Sequence, residues 1–82
     1  MYEIRFDPEA IEFLEKLDKQ IAQRIWKKVM AAKENPDHFF ERLEGRTDYK
    51  LRVGDYRAIA EIDNENKRIE ITMIGHRKNV YK

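Results

Sequence analysis

Apolar and polar residues alternate at the start of the chain. In Tyr2-Glu3-Ile4-Arg5-Phe6 every second side chain is apolar, the period of a half-buried β-strand. The period then changes. Ala10, Ile11, Phe13, Leu14 and Leu17 recur at spacings of three and four, which aligns them along one side of a helix over residues 8–17. Asp7 suits the N-cap of that helix, and Pro8 suits a first position whose N–H would be unpaired anyway. Ile21, Ala22, Ile25, Trp26, Val29 and Met30 mark a second helix over 19–34, with Asp18 as its cap. Asn35-Pro36 stops it, because proline disfavours helical geometry in the residue before it. The short connection predicts an antiparallel helix hairpin.

Residues 36–48 read as a linker whose Phe39 and Phe40 tuck under the edge of the core. From Tyr49 the two-residue period returns. Leu51 and Val53 alternate with Lys50 and Arg52, Gly54-Asp55 supplies a two-residue turn, and Tyr56-Arg57 opens the next strand. Three strands, about 49–53, 56–63 and 67–75, are expected as a meander. Its second turn is Asp63-Asn64-Glu65-Asn66, rich in residues that tolerate left-handed geometry. Tyr56, Ala58, Ala60 and Ile62 share one face of the middle strand, and Ile69, Ile71 and Met73 should continue it. Arg57, Ile59 and Glu61 share the other, where an Arg57–Glu61 ion pair is expected. The fold class is therefore α+β, in the order β-α-α-β-β-β, with a helix hairpin on one face of a mainly antiparallel sheet. The opposite face carries Lys50, Arg52 and Arg57. Trp26 is read as packing and His76 as a bystander.

Composition narrows the chemistry. Eighty-two residues make one small domain, 1–82, and chains of this size bury only ~60% of their unfolded surface. The chain has no cysteine, and its two histidines, His38 and His76, are far apart, so zinc spacings and thiol nucleophiles are absent. No metal, cofactor or small-molecule ligand is expected. Without a long apolar run, neither a membrane span nor a signal peptide is expected, and the location is read as cytoplasmic. Net charge is only +1, but its distribution is uneven. Residues 1–20 hold six acids against three bases, whereas 74–82 hold Arg77, Lys78 and Lys82 with no acid. That asymmetry points to a local anion site.

No catalytic carboxylate pair, Ser-His-Asp set or phosphate-cradling glycine loop is present. The remaining chemistry lies in the arginines, lysines and the terminal tyrosine. Arginine pairs bidentately with phosphate oxygens, and lysine adds a mobile point charge. With RNA as substrate, such groups allow a metal-free route. The ribose 2′-OH attacks the adjacent phosphorus, giving a 2′,3′-cyclic phosphate and a 5′-OH end. Fixed cations would stabilise the phosphorane, and Tyr or Lys would move protons where nearby positive charge lowers their pKa.

Leu51-Arg52-Val53-Gly54-Asp55-Tyr56-Arg57, followed by Ile74-Gly75-His76-Arg77-Lys78-Asn79-Val80-Tyr81, resembles the RelE/ParE toxin superfamily, as do Leu43-Glu44-Gly45 and the element order. The resemblance covers essentially the whole chain. It implies a RelE-like microbial ribonuclease-type fold and the toxin of a type II toxin–antitoxin pair, neutralised by a RelB-like antitoxin. RelE-like members occupy the ribosomal A site and cleave mRNA there, so ribosome and mRNA are implied partners. Residue by residue, Lys50 matches a lysine that removes a proton. Arg57 matches the arginine at the scissile phosphate, and Arg77 the C-terminal arginine that stabilises the transition state or protonates the leaving oxygen. Arg52 matches a basic position that holds RNA, Lys78 is assigned beside it, and Tyr81 resembles the tyrosine that stacks on a base or assists the 2′-OH. The match departs at Asp48, where some members carry a second lysine, and the interval from Arg77 to Tyr81 is shorter than in some members. The 77–81 form also occurs in ParE-like members, which bind DNA gyrase and are not nucleases. That alternative, and a non-catalytic RNA-binding domain, stay open at this point.

Overall fold

The computed structural model describes residues 1–80. The elements are β1 (Glu3–Phe6), α1 (Pro8–Lys16), α2 (Lys19–Ala32), α3 (Pro36–Phe39), β2 (Glu41–Arg42), β3 (Tyr49–Val53), β4 (Tyr56–Asp63) and β5 (Arg68–His76). The strands form one sheet in the order β1-β5-β4-β3-β2. Only the β1–β5 pair is parallel. The linker thus supplies a short helix and a two-residue fifth strand that the sequence pattern does not show. Glu41-Arg42 is too short for any period to register, and both residues are exposed.

Leu51, Ala58, Ala60, Ile69, Ile71 and Ile74 line the helix side of the sheet and pack with Ala10, Ile25, Val29 and Ala32. Small side chains at Ala58 and Ala60 let helix and sheet approach closely, as interior packing density requires. Phe40 is buried in this core and Phe39 packs against it. Trp26 stacks on Phe6 with centroids 5.0 Å apart, yet stays 48% exposed. Ile11, placed by its spacing on the buried stripe of α1, is exposed instead.

The expected inward place of Met73 is corrected by a β-bulge. Ala58 pairs with Ile74 and Ile59 with Met73, but Ala60 pairs with Ile71, so Thr72 is the extra residue. Its Oγ1 donates to the Ile59 carbonyl at 3.3 Å. One inserted residue reverses the parity of the strand beyond it, so Ile74 faces the core and Met73 lies with Ile59 on the opposite face.

The turns and caps also refine the reading. Gly54, at φ 58°, takes the left-handed position of the first hairpin turn, the geometry that requires glycine there. In the second turn Lys67, not an asparagine, has the positive φ, while Asn66 donates through its backbone and side-chain nitrogens to the Asp63 carboxylate. Those bonds hold the Asp63 carboxyl below its ordinary value. Asp18 caps α2 by accepting from Gln20 N at 2.9 Å. Asp7 occupies the N-cap of α1 without a side-chain capping bond. Its carboxyl instead faces Glu70, whose own carboxyl is pushed up by the hydrogen bond it shares with Asp7 and by the Asp7 charge.

Candidate active site

The hairpin β3–β4 places its cations by strand alternation. Leu51 and Val53 are buried toward the helices, so Lys50 and Arg52 project from the other face. Arg52 lies opposite Arg57 in the register, and Lys50 lies opposite Ile59. Lys50 is therefore the diagonal neighbour of Arg57, about 7–8 Å away on the same face. Like charges directly opposite each other in a sheet are destabilising. The fold accepts this repulsion at Arg52–Arg57, and an anion would relieve it.

Arg57 is the one charged residue buried among the described residues, at 8% exposure. Its Nη1 donates to the Gly54 and Tyr56 carbonyls, both at 2.8 Å. The guanidinium thus clamps the turn with one nitrogen, which fixes the plane of its fork. No Arg57–Glu61 ion pair forms among the described residues. Glu61 is four residues along the strand, about 13 Å away, and its partner in the register is Glu70.

Strand β5 brings the second motif alongside the first. Arg57 pairs with Gly75, and Tyr56 with His76. A Cβ on Gly75 would sit 3.2 Å from Val80 Cβ, so the bare glycine is what lets Val80 fold back over the strand. Val80 is buried there, and its N–H and that of Asn79 donate to the His76 carbonyl at 3.0 and 2.8 Å. His76 Nδ1 accepts from Lys78 N at 3.2 Å. His76 thus anchors the C-terminal turn, a structural role its type and position in the sequence do not announce.

Arg77 is tied to the hairpin. Its backbone N–H donates to the Asp55 carbonyl at 2.8 Å, and its Nε lies 3.7 Å from Asp55 Oδ1. Asp55, read from sequence only as a turn residue, is thus the link between the two motifs. Lys78 is exposed on the same turn. Asp48, which stands where a second lysine occurs in some relatives, pairs with Arg46 at 2.7 Å. Tyr81 lies outside the described residues. Arg52, Arg57 and Arg77 thus gather around one hairpin end, with Lys50 one diagonal step from Arg57 along the strand, and no group of His, Cys, Asp or Glu able to hold a metal occurs among the described residues.

The model of the ParE toxin of the type II toxin–antitoxin system parDE matches residues 4–81. The chain belongs to the RelE/ParE toxin superfamily. A putative RelE-like toxin protein of Escherichia coli is 30% identical over 80 residues, covering 94% of this chain and 84% of that protein. Among solved structures, the RelBE2 toxin–antitoxin complex of Mycobacterium tuberculosis contains a chain 26% identical to this one. The TM-score is 0.82, over 93% of this chain and 98% of that one. The RelE–RelB complex of Pyrococcus horikoshii gives 24% identity and a TM-score of 0.80 over 96% and 98% of the two chains, a likeness of fold. This RelE-like toxin therefore shares the α+β architecture of known RelE structures, helices on a mostly antiparallel five-stranded sheet. None of its described helices is long and apolar enough to cross a membrane.

Proposed function

We propose that this RelE-like toxin is a ribosome-dependent endoribonuclease that cuts mRNA in the A site by metal-free 2′-OH attack. The observation that carries the reading is the cation pair Arg52–Arg57 in direct register, with Lys50 diagonal to it and Arg77 tied to the same turn. In the reaction the 2′-OH gives its proton to a base, and Lys50 is assigned that role. The 2′ oxygen bonds to phosphorus, the P–O5′ bond breaks, and O5′ takes a proton to leave as a 5′-OH. Arg57, oriented by its two carbonyl bonds, presents the rest of its fork to the scissile phosphate. Arg77 stabilises the developing charge or protonates the leaving oxygen. Arg52 and Lys78 hold the strand, and Tyr81 stacks on a base or assists the 2′-OH. One well-placed donor at such a centre contributes ~3–4 kcal/mol.

A RelB-like antitoxin is the proposed partner, supported by related RelE chains seen in complex with RelB. An acidic, largely disordered segment would pair with Arg52, Arg57 or Arg77 and lay an amphipathic helix on apolar surface. The test of the activity is a translation extract carrying a defined mRNA, followed by mapping of RNA ends. Cuts at the A-site codon support the nuclease. Intact mRNA together with DNA breaks would replace it with gyrase inhibition.

A further inference from the structure

Three consecutive carbonyls at the tip of the β3–β4 hairpin are taken by two arginines. Those of Gly54 and Tyr56 accept from Arg57 Nη1, both at 2.8 Å. The carbonyl between them, that of Asp55, accepts from the Arg77 backbone N–H at 2.8 Å. The Asp55 carboxylate then reaches the Arg77 side chain, its Oδ1 lying 3.7 Å from Nε. The needs of folding do not account for that carboxylate. Gly54 carries the positive φ of the turn, and position 55 has a backbone geometry open to most residues. Both partners of the ion pair are more than half exposed, and such pairs add little to stability. Attraction of substrate does not account for it either, because an acid set among Arg52, Arg57 and Arg77 weakens the pull on a polyanion. What the pair does is restrict where Arg77 points. An exposed arginine otherwise samples many rotamers, and fixing it during a reaction costs entropy.

We propose that Asp55 is a positioning residue for Arg77: its carboxylate takes the Nε side of the guanidinium and so turns the Nη1–Nη2 edge toward the phosphate that Arg57 faces. The inference rests on the nuclease reading and adds to it a residue that does not itself touch RNA. The division of the fork suits the chemistry. A guanidinium offers several N–H donors in one plane, so an acceptor on one edge fixes that plane and leaves another edge for phosphate oxygens. Arg57 is held in the same way, by carbonyls on one nitrogen. Arg77 differs in that a charged side chain holds its guanidinium. The 3.7 Å separation is that of a loose ion pair, and contacts of this kind tighten when substrate fills a site. Held so, Arg77 meets the developing charge already oriented, whereas a free Arg77 would have to be ordered in the transition state.

The test variant is Asp55→Ala, which keeps the backbone bond to Arg77. The control is Glu61→Gln, which removes one charge from an exposed position farther along β4. Ribosomes programmed with a defined mRNA report cleavage, and NMR relaxation of the Arg77 Nε–Hε group reports side-chain order in the free protein. Asp55→Ala should lower kcat about three- to tenfold, the cost of ordering one long side chain. KM should stay level or fall, because an acid has left the site. The Arg77 Nε–Hε group should become more mobile, Tm should stay within about 3 °C, and the control should change none of these. On an Arg77→Ala background, Asp55→Ala should lower kcat no further. The role is overturned if Asp55→Ala leaves either kcat or the Arg77 mobility unchanged, or if it raises KM. It is also overturned if the kcat loss persists in full without Arg77, or if Glu61→Gln produces an equal loss. Failure of the nuclease reading is separable. Wild type would then cut no message, while the mobility of Arg77 would still report whether Asp55 holds it.

Discussion

Replacing Arg57 by alanine should damage the fold as well as the chemistry. An exposed arginine would shift stability by less than ~0.5 kcal/mol on removal. Arg57 is 8% exposed and donates twice from one nitrogen to turn carbonyls. Two charge-assisted bonds at about 1.5 kcal/mol each give about 3 kcal/mol. Because those carbonyls sit at a surface turn and regain water when the guanidinium leaves, roughly half of that is lost in practice. Relief of the repulsion with Arg52 returns about 0.5 kcal/mol. The net destabilisation is about 1 kcal/mol, which for a domain of this size lowers Tm by about 4–8 °C. Arg57→Lys keeps the charge and the repulsion but has no planar fork, so it should fall between. The assay is thermal unfolding followed by circular dichroism, paired with ribosome cleavage at a temperature where both variants stay folded. There Arg57→Ala should cut kcat by about 100-fold or more. A Tm within about 2 °C of wild type would refute the clamp, since the assigned bonds alone require a larger shift.

Gly75→Ala should slow cleavage and lower Tm, because its methyl would stand 3.2 Å from Val80 Cβ and push the C-terminal turn off the strand; unchanged kinetics and Tm would show that the turn is not placed by this contact. Val80→Ala, which removes buried apolar volume at the same spot, should cost about 1–2 kcal/mol in denaturant unfolding. Glu70 titrates above its ordinary value of 4.5 beside Asp7, so the native state holds its proton more tightly than the unfolded chain does. Its favourable contribution is present below 4.5 and lost as pH rises through the raised value, so Glu70→Gln should raise Tm at pH 7 and lose that advantage below pH 4.5. Antitoxin binding should protect the 49–57 hairpin and residues 76–82 from hydrogen exchange, and association should slow as salt rises, because exposed charges are screened beyond ~10 Å near 0.1 M; protection confined to other regions would contradict the proposed cover.

The long periodic elements were legible because their patterns are set by burial on one side. The strand over 56–63 and the helix stripe through Ile25 and Val29 needed only the spacing of apolar residues. What escaped the reading depends on contacts between distant residues. The fifth strand is two residues long and is defined only by its pairing with Tyr49 and Lys50. The bulge at Thr72 leaves the composition of β5 unchanged but reverses which side Met73 faces. At the site, Lys50, Arg52 and Arg57 were placed on one face by alternation alone. Alternation could not show that Arg57 is buried or that it bonds to the Gly54 and Tyr56 carbonyls, groups that any residue carries. Nor could it show that Asp55 receives Arg77 or that His76 anchors the final turn.

In the proposed reaction the RNA supplies its own nucleophile at a site built from cations. The most direct measurement uses programmed ribosomes carrying an mRNA with a single 2′-deoxy substitution at the nucleotide 5′ to the A-site cut. The all-ribose message should yield an upstream fragment ending in a 2′,3′-cyclic phosphate and a downstream fragment beginning in a 5′-OH, and the substituted message should stay intact. Cleavage of the deoxy-substituted message at the same bond, or a 5′-phosphate on the downstream fragment, would contradict it.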